Sequence, residues 1–340
     1  MGGCATVDPR MAKVDALMRA YDGVGPGAAL LVMRNGAPLV RRGYGLAEVE
    51  QRTRVTPATN FRLASITKQF TAAAILLLAE DGRLHLDDHV RRWLPSLPAI
   101  AEPITIRHLL THTGGLIDYE DVMPATLTTQ LRDTDVLHLL ETQDHLYFVP
   151  GSAYRYSNGG YAMLALIVGK ASGSPFQTFL HERIFQKLGM RNTLGFVQEG
   201  PPVPFRAYGY TLNGNNHGSD VWQRTDQSLT SAVLGDGGIY SSIDDLARWD
   251  AALYDDRLLS DESRRLAFTP HTKTDDPAIE YGFGWRITGD TLWHSGESIG
   301  FRNVIVRFPQ RKLSVIILSN RNDPEPYSTA LAIAHEFLDR

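Results

Sequence analysis

Residues 66–82, "ITKQFTAAAILLLAEDG", limit the fold of this 340-residue chain more than any other stretch. Wound as a helix, the run is apolar almost all round, so it has no face to offer water and must be buried on every side. Gly82 marks its end. A helix of this kind needs a large body of protein around it, and 340 residues suffice for one large domain or two modest ones. No apolar run approaches the ~20 residues that cross a bilayer, so no transmembrane segment is expected.

The flanking patterns say what that body is made of. Residues 9–22 place Met11, Val14, Leu17, Met18 and Tyr21 on one helical face. Two β-rich runs then flank Asn35-Gly36, a strong hairpin signal. Residues 87–94 and 104–110 read as short helices. The pattern stays helical from about 125 to 190, interrupted by the loop "VPGSAYRYSNGGY". Loops with short strands fill 197–240, and "SSIDDLARWDAALY" reads as a helix with Ser242 as its N-cap. Beyond it "YGFGWRI", "TLWHSGE", "RNVIVRF" and "LSVIILSN" have strand character, and "STALAIAHEFL" closes the pattern as a helix. The expectation is an α/β (α+β) fold whose antiparallel sheet is built from both ends of the sequence and flanked by the two terminal helices. Residues 9–62 and about 235–340 would form this sheet lobe, and about 63–234 a mainly helical lobe, with a site in the cleft between them.

The charge balance, 34 basic against 38 acidic residues in a mixed pattern, offers no nucleic-acid-binding face. The single cysteine, Cys4, rules out an intrachain disulfide. The opening "MGGCATVDPR" has three readings: a myristoylation pattern, a lipoprotein junction with Cys4 as lipid anchor and the signal peptide removed, or a flexible polar terminus over 1–8. The second would place the protein in the periplasm or cell envelope; the alternative is the cytoplasm.

Three constellations carry chemistry. Ser65 stands at the start of the buried helix, and Lys68, one turn on, can reach back to its hydroxyl. A serine needs a base to become a nucleophile, and a lysine serves where burial favours its neutral amine. The bland alternative is a helix-start serine with a lysine on an exposed face. Tyr156-Ser157-Asn158 supplies a phenol for proton relay and an amide for hydrogen bonding, or merely a packed loop tyrosine and a turn asparagine. His294-Ser295-Gly296 ends a strand, where an edge N–H can face an oxyanion and a glycine permits close approach.

Other patterns compete. Gly296-Glu297-Ser298-Ile299-Gly300 is a G-x-S-x-G, with Asp323 and His335 available downstream for a triad. That motif works on a strand–turn–helix, however, and "FRNVIVRF" after it is strand-like. His108 and His112 are spaced as zinc ligands can be, but no H-E-x-x-H and no further ligand cluster accompany them, so no metal and no organic cofactor are expected. His112-Thr113-Gly114 is a second H-x-G that precedes Tyr156, and a structural role is expected for both histidines.

Taken in order, Ser65…Lys68, Tyr156…Asn158 and His294…Gly296 resemble the S-x-x-K, Y-x-N and K/H-x-G motifs of the serine β-lactamase and penicillin-binding protein superfamily. The contexts "FRLASITKQF", "LLTHTGGL", "GDGGIYSSIDDLARW" and "HSGESIGF" are similar to the branch containing class C β-lactamases, D-stereospecific peptidases and β-lactamase-like carboxylesterases. The resemblance implies that Ser65 forms an acyl-enzyme and that Lys68 and Tyr156 share base and relay work. It implies that Asn158 holds a substrate amide or orients Lys68, that His294, Ser295 and Gly296 line the substrate site, and that the N–H groups of Ser65 and Glu297 form the oxyanion hole. A histidine in place of the lysine of the third motif lacks a fixed charge for a carboxylate, and Arg302 is the candidate replacement. The implied activity is hydrolysis of small esters or D-amino-acid peptides and amides, with β-lactams turned over slowly. The alternatives are a true class C-like β-lactamase or D-alanyl-D-alanine carboxypeptidase, and a catalytically weak penicillin-recognising binding protein.

Overall fold

The computed structural model describes residues 9–197, 200–214 and 220–338. Cys4 and the rest of segment 1–8, on which the lipid-anchor and flexible-terminus readings rest, lie outside the described residues.

Strands β1 (Ala28–Arg34) and β2 (Ala37–Tyr44) form the hairpin that Asn35-Gly36 predicts. Both turn residues have positive φ, 52° and 77°, as this tight connection requires. Six further strands complete the sheet: β3 (Thr272–Lys273), β4 (Glu280–Tyr281), β5 (Arg286–Thr288), β6 (Thr291–Ser298), β7 (Phe301–Phe308) and β8 (Leu313–Ser319). Their order is β3-β4-β5-β6-β7-β8-β1-β2, antiparallel throughout. The two ends of the sequence therefore meet inside one sheet, with β1 against β8 from Ala28 opposite Ser319 to Arg34 opposite Leu313.

Both faces of this sheet are covered, which is why β1 and β8 read as continuous apolar runs rather than alternating ones. Leu30 and Val32 of β1 pack with Val14 and Met18 near helix α1 (Pro9–Leu17) and with Ile333 and Phe337 of the last helix. Leu31 and Met33 point the other way, into a core shared with Ile305, Ile316 and the helical part of the chain. Each such side chain, fully buried, contributes roughly 1.5–3 kcal/mol. The first helix is shorter than the 9–22 pattern suggests: α1 ends at Leu17 and tightens into a 3₁₀ turn over Arg19–Tyr21. Met18 and Tyr21 keep their buried positions through the tighter turn, before the chain bends at Gly23 (φ 110°).

Helix α2 (Thr67–Glu80) forms from the apolar run 66–82, and every residue from Thr67 to Leu78 is buried. It packs against α3 (Asn158–Ser172) and lies in the same core as Ile243, Leu246 and Trp249 of α4 (Ile243–Ala252). Ser242 caps α4, accepting from the Asp245 N–H. The last helix, α5 (Tyr327–Leu338), completes the outer layer. A small sheet lays Phe61–Arg62 beside Ile239–Ser241, which brings the segment before Ser65 next to residues 236–238.

Candidate active site

Ser65 sits in a 3₁₀ turn (Ala64–Ile66) that feeds α2. It is half-buried between buried neighbours, the one side chain of the turn open to the outside. Ala64 has φ 49°, a left-handed value that costs a non-glycine residue about 1–2 kcal/mol. The sheet holds the turn in place. Asn303 on β7 donates from Nδ2 to the carbonyls of Arg62 (2.8 Å) and Leu63 (3.3 Å), and its Oδ1 accepts the Ser319 N–H at 3.0 Å. Beside it Gly296 of β6 lies so close that a β-carbon there would stand 2.1 Å from the Leu63 oxygen. Only a glycine lets β6 approach the serine turn this closely.

Lys68 is fully buried in the first turn of α2. Its Nζ lies 3.1 Å from Ser65 Oγ, 2.8 Å from Asn158 Oδ1 and 3.0 Å from the Asp236 carbonyl oxygen. Two of these oxygens can only accept, whereas a serine hydroxyl can also donate. An ammonium can donate to all three oxygens, and the amine left after loss of a proton can keep Asn158 and Asp236 with its two hydrogens and turn its lone pair to Ser65. The amine also lies 4.7 Å from the centre of the Tyr156 ring. Burial pushes the Asp236 carboxyl up to about 7 despite the Lys68 charge, and Tyr119 donates to its Oδ2 at 3.1 Å.

The Tyr156 loop is fixed from both sides. Ser157 caps α3 by accepting the Gly160 N–H at 3.0 Å, and Asp118 Oδ2 accepts the Asn158 N–H at 2.7 Å, a carboxylate at a helix N-terminus. Asn158 is thus rigid in main chain and side chain, its Nδ2 donating to Glu120 at 3.3 Å. His112 brackets Tyr156: its carbonyl accepts the Arg155 N–H (3.0 Å), and its Nδ1 accepts the Ser157 N–H (3.1 Å). The imidazole stacks on the Tyr156 ring at 4.4 Å. Burial, then the Lys68 charge, holds this imidazole well below its ordinary range, so it stays neutral. His108 instead accepts the Thr105 N–H at a helix start. Among the described residues no group of three His, Cys, Asp or Glu is placed to hold a metal ion.

On β6 the expectations need one correction. His294 does not present a free ring nitrogen to a substrate. It is 1% exposed, its Nδ1 donates to the Ser295 carbonyl (2.6 Å), and its Nε2 accepts from Tyr281 (3.0 Å). Burial and the neighbouring Arg286 charge hold it well below the ordinary histidine range. The reason is Tyr281 on β4, a residue the spacing of the motif does not reveal. Ser295 is half-buried, Gly296 buried, and the Glu297 side chain exposed. Arg302 donates to the Ser298 (3.1 Å) and Phe301 (2.9 Å) carbonyls and lies 3.6 Å from Glu297. Ser298 sits in the β6–β7 hairpin, and its Oγ has no hydrogen-bond partner among the described residues. A strand follows it, not a helix, and His335 is exposed on α5, so nothing there makes a nucleophile.

The structure thus gathers Ser65, Lys68, Tyr156 and Asn158, with β6 beside them. It adds His112, Asp236, Asn303 and Arg286, which act through backbone carbonyls, ring nitrogens or charge. Of these His112 and Asp236 had a sequence signal, their places in "LLTHTGGL" and "GDGGIYSSIDDLARW". A cavity of about 710 Å³ lies elsewhere, along the C-terminal half of α3 between Lys170, Phe176 and Leu234. No described helix is long and apolar enough to cross a membrane.

The family model described as Beta-lactamase matches residues 6–338. The chain is 33% identical to penicillin-binding protein 4* of Bacillus subtilis (strain 168) over 323 residues, 91% of this chain and 71% of that protein. It is 30% identical to a D-aminopeptidase of Gluconobacter oxydans (strain 621H), covering 95% of this chain and 61% of that protein. Among solved structures, a penicillin-binding protein from Bacillus halodurans superposes with a TM-score of 0.82 at 27% identity, over 96% of this chain and 99% of that one. EstCE1, a hydrolase with promiscuous acyltransferase activity, gives 0.79 at 25% identity, over 96% and 97%.

Proposed function

The chain belongs to the β-lactamase family of serine hydrolases, and on that premise we propose that it hydrolyses small esters or D-amino-acid amides and peptides through an acyl-enzyme on Ser65. One observation carries the reading: a fully buried lysine whose amine touches Ser65 Oγ and two oxygens that can only accept. In the acylation step Ser65 Oγ bonds to the substrate carbonyl carbon and its proton passes to Lys68 Nζ. The carbonyl oxygen becomes an oxyanion, held by the N–H groups of Ser65 and Glu297. The oxyanion collapses, the bond to the leaving group breaks, and that group departs with a proton relayed through Lys68 and Tyr156. Water then attacks the ester, surrenders its proton along the same path, and restores Ser65 and the free acid.

Two features set the preference among substrates. His294 is neutral and locked, so β6 offers no fixed charge at the position where the third motif carries lysine, which supports slow β-lactam turnover. Glu120 supports an amine-bearing substrate, because its carboxylate hydrogen-bonds Asn158 at 3.3 Å while its side chain is open to the outside.

The test is labelling with a fluorophosphonate and a fluorescent penicillin, followed by turnover of p-nitrophenyl butyrate, a chromogenic cephalosporin and D-alanyl p-nitroanilide. Ser65→Ala abolishes labelling and Ser298→Ala does not; the reverse pattern overturns the assignment. Turnover is expected for the ester or the anilide ahead of the cephalosporin. Stable labelling with no turnover of any substrate identifies a binding protein instead.

A further inference from the structure

We propose that the cavity along the C-terminal half of α3 is a second binding site, for an amphipathic carboxylate, and that its occupant steadies the turn that faces Lys68. The class of ligand rests on the hydrolase reading above, because every ester cleaved at Ser65 releases a carboxylic acid. The site itself rests on its own geometry.

The cavity has a volume of about 710 Å³, within the range of roughly 300–1,000 Å³ that holds a small organic molecule. Leu166, Phe176, Phe196 and Leu234 give it apolar walls. An alkyl tail buried against them is favoured in proportion to the apolar area it removes from water. Ser65, Lys68, Tyr156 and Asn158 do not line it, so an occupant leaves the proposed reaction path open.

The rim is cationic. Arg132 and Lys170 both line the cavity, and both are exposed. Neither side chain has a hydrogen-bond or ion-pair partner among the described residues. Asp133, the one acid among the described lining residues, is turned to the protein. Its two carboxylate oxygens accept the N–H groups of Leu234 (3.0 Å) and Gly235 (3.0 Å). Two free cations over an apolar chamber match a molecule with an anionic head and an apolar tail. A carboxylate takes charge-assisted hydrogen bonds from both a guanidinium and an ammonium.

The same residues reach Lys68. Leu234 opens a short helical turn, Leu234–Gly237, whose first two N–H groups Asp133 holds. The next carbonyls face α2: that of Gly235 accepts from Thr71 Oγ1 at 2.7 Å, and that of Asp236 from Lys68 Nζ at 3.0 Å. Toward α3 the turn has no slack, since a β-carbon on Gly235 would stand 2.2 Å from the Tyr161 carbonyl oxygen. A tail packed on Leu234 therefore holds the turn where it is, with the Asp236 carbonyl on Lys68. A ligand shifts a population toward the state it binds, so occupancy raises turnover.

The experiment titrates octanoate into the full chain, followed by saturation-transfer NMR and thermal unfolding, with octylamine and acetate as comparators. The wild type is expected to bind octanoate ahead of both, with a raised Tm. The double variant Arg132→Gln/Lys170→Gln, changed only at exposed positions, is expected to bind octanoate at least tenfold more weakly and to keep its basal ester turnover. Equal affinity for octylamine or acetate, or octanoate binding unchanged in the double variant, overturns the site. Saturating octanoate is expected to raise kcat on p-nitrophenyl butyrate about twofold with KM unchanged, in the wild type and not in the double variant. Competition with the ester that persists in the double variant, or an unchanged kcat with octanoate bound, overturns the link to Lys68. Octanoate binding that depends on Arg132 and Lys170, in a wild type that turns over no ester, leaves the site standing and removes the hydrolase reading alone.

Discussion

Asn303 Nδ2 donates to the carbonyl of Arg62 at 2.8 Å, which ties the serine turn to the middle of the sheet. The residue has no contact with a reacting atom, yet it fixes where Ser65 stands. Replacement by leucine orphans the Arg62 and Leu63 carbonyls and the Ser319 N–H in a buried place, at a cost of about 1–3 kcal/mol for each group left unpaired. Asn303→Leu is expected to lower the urea midpoint and reduce ester turnover at least tenfold in the fraction that stays folded. Gly296→Ala drives a methyl into the Leu63 oxygen from the other side and is expected to abolish turnover with the protein still folded by circular dichroism.

In the proposed reaction Asn158 positions Lys68. Asn158→Ala removes the acceptor 2.8 Å from Nζ and frees Glu120 to pull on the amine. A base that is present but misaimed loses much of the roughly 10²–10⁴-fold that proton transfer supplies. The expected result is a kcat lower by about 10–100-fold with KM changed little, read from steady-state kinetics on a neutral ester.

His112 and His294 are both held neutral, well below the ordinary histidine range. Neither therefore takes up its proton in the ordinary histidine range. His112→Asn keeps an acceptor for the Ser157 N–H and loses the stacked ring, so kcat is expected to fall severalfold while the shape of the pH–rate curve stays unchanged. An acid limb that disappears in this variant would show that the imidazole is a titrating catalytic group.

Asp236 predicts how stability varies with pH. Burial raises its carboxyl from an ordinary 3.8 to about 7 in the folded chain. Between those values the folded state holds a proton that the unfolded state has released, so raising the pH destabilises the fold. Asp133, raised by burial to about 6, acts in the same direction over the lower part of that window. Stability contributed by these groups is present near pH 4 and lost by pH 7–8, a loss of up to a few kcal/mol. Thermal unfolding is expected at a lower Tm at pH 8 than at pH 5.5, and Asp236→Asn flattens the difference. An equal slope in the variant would show that the Asp236 carboxyl does not titrate there.

What the sequence reveals, and what it conceals, follows from the range of each interaction. The hairpin at Asn35-Gly36, the buried α2 and the capped α4 are local, and their residues announce them. Ser65 and Lys68 lie one helical turn apart, so their meeting is also local. The bracket around Tyr156 is not: it needs His112, 44 positions earlier, in a left-handed conformation (φ 60°) that aims its carbonyl and ring nitrogen at the two neighbours of the tyrosine. His294 reads as a wall of the site until Tyr281 arrives on the neighbouring strands and occupies its Nε2. Asp236 matters first through its main-chain oxygen, which any residue type would supply, so its identity carries no signal of that role.

The sheet's connectivity also sets an order of events. β1 lies between β2 and β8, and the clasp on the serine turn comes from β7, more than 200 positions beyond Ser65 in the sequence. Pairings this distant form late and slowly, after local helices are in place. During synthesis Ser65 and Lys68 leave the ribosome long before the strands that seat them. Until β6 to β8 emerge and capture the first hairpin, the growing chain carries Ser65 and Lys68 without the framework that aligns them, and the site waits for the last closure of the fold.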